Sequence, residues 1–107
     1  MTEQEYIAEL LRWLEHVRSR PLMYFIGIEQ GDSFLRGIHH ATSIVIHPDK
    51  TKNYYGHVLV KRGWTNSSLR PWSDMLKSGM TVDEVVHEML TIEIEYWTLV
   101  LDSLSTD

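Results

Sequence analysis

The chain of 107 residues has no cysteine, three prolines, six glycines and only two phenylalanines. Without cysteine there is no disulfide framework, no thiolate metal site and no thiol nucleophile. The scattered glycines and prolines serve as punctuation. They form no phosphate-cradling loop and no linker, so residues 1–107 are read as one domain. No apolar run approaches the ~18 residues of a membrane span, and the N-terminus opens with acids rather than a basic leader. The expectation is a cytoplasmic protein with no membrane association. Lysine and arginine are missing altogether from residues 81–107, which hold seven acids. Residues 47–70 hold five bases against Asp49 alone, within a net charge of −5. That balance argues against general nucleic-acid binding. The polarity either steers a charged partner or lets the two segments pair with each other.

What the chain has is helical periodicity and aromatic residues, with four Trp and five Tyr. Residues 81–104 form the longest and most apolar helical run. Its hydrophobic residues, from Val82 through Val86, Leu90 and Trp97 to Leu104, cover an arc of roughly 220° on a helical wheel. Glu84, Glu88, Thr91, Glu95, Thr98 and Asp102 form a single polar stripe, and Thr81-Val-Asp-Glu84 has capping-box spacing. Glu93 lies inside the apolar arc.

Thr2-Glu-Gln-Glu5 has the same capping spacing. It opens an amphipathic helix to about Arg18 whose inner face is Tyr6, Ile7, Leu10, Leu11, Trp13, Leu14 and Val17. Pro21 ends it, because the residue before a proline avoids helical geometry. Residues 20–27 read as an apolar connector packed under the bundle. Gly31 and Asp32 read as a loop and cap for a helix from Ser33 to about His47, with Phe34, Leu35, Ile38, Ala41, Thr42, Val45 and Ile46 inward. Tyr54 to Arg62 fits helical spacing better than strand alternation, with Asn53 and Gly63 as caps, although a short strand stays open. A short helix through Lys77 precedes Gly79. The fold expected is all-α, a single-domain bundle of four to five helices around the long C-terminal one.

Glu84-Val-Val-His87 has the E-x-x-H spacing of di-iron bundles, but such sites need a second copy and two more inward carboxylates. His40 and His47 lie about 10 Å apart along a helix, too far to share one ion. No metal site and no cofactor are expected. Glu93 is the stronger anomaly. A carboxylate on an apolar face is paired, hydrogen-bonded or held protonated. His39 at the edge of its helix, and Arg20 or Tyr24 from the connector, are its candidate partners and would line a pocket with it. No Ser-His-Asp order and no second placed carboxylate supports a named reaction.

Arg20-Pro-Leu-Met-Tyr-Phe-Ile-Gly27, followed by Phe34-Leu-Arg-Gly37, resembles a pattern in small bacterial helical proteins, R-P-x-M-Y-x-G and then F-L-x-G. Some of these are similar to immunity proteins of toxin systems. One extra residue separates Tyr24 from Gly27 here. The resemblance implies a non-enzymatic, protein-binding antagonist. In that reading the acidic ridge Glu84, Glu88, Glu95 and Asp102 meets a basic protein partner, and Trp64, Arg70 and Trp72 serve as anchors. A homodimer burying part of the apolar arc is compatible with it. The alternative is a small ligand-binding protein or enzyme with a pocket around Glu93 and His39.

Overall fold

A computed structural model describes residues 2–46, 54–64 and 71–105. Five α-helices follow one another: α1 Glu3–Ser19, α2 Gly27–Val45, α3 Tyr54–Lys61, α4 Pro71–Lys77 and α5 Val82–Ser105. A 3₁₀ turn, Pro21–Met23, joins α1 to α2. Among the described residues there is no strand, and residues 54–61 are helical. Each of the other four helices packs on α5. The buried side chains of α5 run from Val85 through Leu90, Ile92 and Trp97 to Leu104. They meet Ile7, Leu14 and Val17 of α1, Leu35 of α2, Val58 and Leu59 of α3 and Met75 of α4 in one core.

Local chemistry sets the helix ends. Both capping boxes form. The Glu5 amide donates to Thr2 Oγ1 at 3.1 Å and the Glu84 amide to Thr81 Oγ1 at 3.2 Å, while each glutamate reaches back to the threonine N–H. Four otherwise orphaned amides are thereby satisfied. Helices α3 and α4 end alike. Gly63 and Gly79 take positive φ, and the amides of Trp64 and Met80 bond back to Leu59 and Met75. This paired closure needs a residue that tolerates the left-handed region. Asn53, the expected cap of α3, lies outside the described residues.

Two expectations are corrected. Helix α2 begins at Gly27, not Ser33, and contains Gly31 and Asp32. Gly31 is a packing residue. A Cβ there would stand 2.9 Å from the buried ring of Phe25. Asp32 pairs with Arg36 one turn later at 3.0 Å, so it supports the helix from within. Within it Ala41 and Val45, expected inward, face solvent, while Leu35, Thr42 and Ile46 are buried. The connector is not packed under the bundle. Phe25 is buried, but Leu22 is 76% exposed, Met23 65% and Ile26 72%. A three-residue turn cannot present all of its side chains to one side.

Candidate functional site

Glu93 sits in the middle of α5 on the face that packs toward α2, and it is 2% exposed. Helix α2 carries His39 opposite it. The His39 Nε2 lies 2.9 Å from one carboxylate oxygen and 2.8 Å from the other. One turn along α5, Trp97 donates its indole N–H to Oε2 at 3.1 Å. The buried carboxylate is therefore engaged from two sides, as burial demands. Nε2 faces both carboxylate oxygens, so it is the ring nitrogen placed to donate to Glu93. Among the described residues no hydrogen bond engages Nδ1 of His39, and the His39 side chain is one-third exposed.

Aromatic rings fix that imidazole. It stacks on Tyr96, with centroids 5.1 Å apart and planes at 28°, and leans on Trp97 at 5.1 Å. Tyr55 of α3 stands edge-on to it at 5.8 Å and also meets Tyr96. The exposed side of the ring opens onto a pocket of about 660 Å³. Its described walls include Leu35, Tyr55, Trp72, Met89 and Tyr96, with Asp32, Arg36 and His40 among the polar members. Burial pushes the Tyr55 phenol well above its ordinary value, and the negative charges of Glu93 and Asp32 push it the same way. Tyr55 thus stays a neutral phenol at the pocket wall.

The other polar cluster joins α3 to α5. Arg62 donates to both oxygens of Glu88 at 2.7 Å and to Glu95 at 2.6 Å, and the Trp64 indole donates to Glu88 at 2.9 Å. The bidentate Arg62 contact, against the opposing effect of burial, holds the Glu88 carboxyl below the usual glutamate range. Part of the basic segment therefore does pair with part of the acidic one.

The residues singled out from the sequence end up in separate places. His39 and Glu93 meet. Arg20 and Tyr24 do not join them, which corrects that expectation. Arg20 lines a groove beside the 3₁₀ turn, and Tyr24 packs against Trp13 and Phe34. The turn directs both away from α5's midpoint. Of the acidic ridge, Glu88 and Glu95 are held by Arg62, Glu84 belongs to the α5 cap, and Asp102 is exposed. Trp64 is in the Arg62 cluster, Trp72 is in the pocket wall, and Arg70 lies outside the described residues. Sequence reasoning missed Tyr55, Tyr96 and Trp97 as site residues. Trp97 was within reach, since i+4 spacing on α5 puts it beside Glu93. Among the described residues no helix is long and apolar enough to cross a membrane, and no three His, Asp or Glu side chains converge as metal ligands.

Comparison with known proteins returns nothing at a significant level: no family model, no curated protein and no solved structure matches this chain.

Proposed function

We propose that this protein binds a small, uncharged, planar molecule in the pocket between α2, α3, α4 and α5, with His39 as its hydrogen-bonding partner. The carrying observation is the His39–Glu93 pair. A carboxylate buried in the core holds Nε2 of an imidazole that lines the pocket, and among the described residues no hydrogen bond engages the second nitrogen. The volume lies within the ~300–1,000 Å³ common for small-molecule sites. Flat aromatic walls favour a flat ligand. The charges argue for neutrality. Asp32 and Arg36 pair with each other, and both oxygens of Glu93 are already occupied. Among the described residues a cation finds no open carboxylate there, and an anion meets a guanidinium already in an ion pair. The acidic ridge gives a basic protein partner less support, since two of its four carboxylates are held by Arg62.

The test is a thermal-shift screen with indole, phenol and neutral purine-type bases against benzoate and benzylamine, followed by NMR of the His39 imidazole. The neutral set should raise Tm and move the His39 signals. The shift should vanish in Tyr55→Leu and in His39→Leu, each first checked for its helical spectrum. No shift from any neutral planar compound, or a shift that survives both substitutions, would reject the proposal.

A further inference from the structure

We infer that the groove between the end of α1, the 3₁₀ turn and the first turns of α5 docks an apolar segment of a protein partner that carries a carboxylate. The groove encloses about 530 Å³ and shares no described lining residue with the His39 pocket. Leu22, Met23, Phe25, Val82 and Val86 give it apolar walls. Leu22, Met23 and Val82 are also among the large hydrophobic residues left exposed, and Ile26 stands beside them in the chain. Exposed apolar side chains gathered along one groove are the kind of surface found at interaction sites. A molecule confined to the groove would leave Ile26, which is not among its lining residues, in water. A segment lying across the groove covers it.

Charge selects the partner. Among its described lining residues, Arg18 and Arg20 stand against one acid, Asp83, in a chain whose net charge is −5. Arg18 spends one guanidinium nitrogen on Thr91 Oγ1 at 3.1 Å. Among the described residues, no hydrogen bond or ion pair engages the exposed guanidinium of Arg20. Such a group beside an apolar slot suits a carboxylate flanking the inserted side chains, and arginine is enriched at interface hot spots. The unbranched Met23 adapts to the side chain it meets.

The experiment displays random twelve-residue peptides to the intact chain. Enriched sequences are then measured by fluorescence anisotropy. The expected winners combine spaced Leu, Ile or Phe with at least one Asp or Glu. Leu22→Asp with Ile26→Asp should weaken them by tenfold or more, as should Arg20→Glu, whereas Arg20→Lys should restore most of the binding. These side chains are exposed, and retained helical circular dichroism confirms that the variants fold. Three outcomes overturn the inference: no enrichment, winners without a carboxylate, or affinity indifferent to these substitutions. A concentration-dependent dimer abolished by Leu22→Asp overturns it as well, and assigns the groove to a second copy of the chain.

Discussion

Among the described residues, Glu93 is the only charged side chain that is buried, and its cost is met by two donors on two helices. An apolar residue there would have packed at least as well, because buried ionic groups seldom add net stability over a hydrophobic replacement. The polarity therefore needs another reason, and orientation of His39 at the pocket wall supplies one. The prediction follows from what each substitution strands. Glu93→Leu leaves the buried Trp97 N–H without its acceptor and should cost about 2–3 kcal/mol in urea denaturation. Adding His39→Leu and Trp97→Phe removes the stranded donors and should recover a good part of that loss. A triple variant no more stable than the single one would show that the carboxylate is held for packing alone. The anomaly itself was legible in the sequence, since a lone Glu in an apolar arc must find partners. His39 was legible as a partner from its place at the edge of a helix face. Arg20 and Tyr24 were misplaced because helical spacing says nothing about where a connector leads.

At the scale of the element, Gly31, read as part of a loop, is why α2 was read six residues short, and Gly37 in the same helix is its control. Gly31 and Gly37 both lie in α2, yet only one of them is needed as glycine. Sequence alone cannot separate a glycine that breaks a helix from one that lets another group approach, because both lack a Cβ. The position of Phe25 decides it. Gly31→Ala would put a methyl group 2.9 Å from a ring that is itself buried, so the ring must move. The steric cost should outweigh the gain in helix propensity and destabilise by about 1 kcal/mol or more. At Gly37 a Cβ meets nothing within 4 Å. Gly37→Ala should stabilise by up to about 1 kcal/mol, since glycine pays the larger backbone entropy in a helix. The pair is read from thermal midpoints, and opposite signs are the expected result. Equal signs would mean that Phe25 does not rest on Gly31.

The whole molecule is organised as its sequence suggested, with one long helix that every other helix touches, because α5 is apolar over most of its circumference and no single neighbour could cover it. What periodicity could not reveal is pairing between elements. Arg62 counted only as one of five bases, whereas the fold sets it between Glu88 and Glu95 and so ties α3 to the acidic face of α5. That contact contributes to how the protein answers acid. In the unfolded chain Glu88 binds its proton near pH 4.3. In the folded chain Arg62 holds its carboxyl lower. Between those two values the unfolded state carries more protons, so falling pH favours unfolding. The stabilisation is complete above the ordinary glutamate range and disappears as pH falls through the lower, folded-state value. Arg62→Met should therefore cost about 1–2 kcal/mol at pH 7, a modest figure because all three side chains keep some solvent contact. At pH 3 the difference from the native sequence should be much smaller. Urea denaturation of both chains across that range measures the difference directly. A gap that stays constant with pH would assign the loss to the packing of the Arg62 stem instead of its charge.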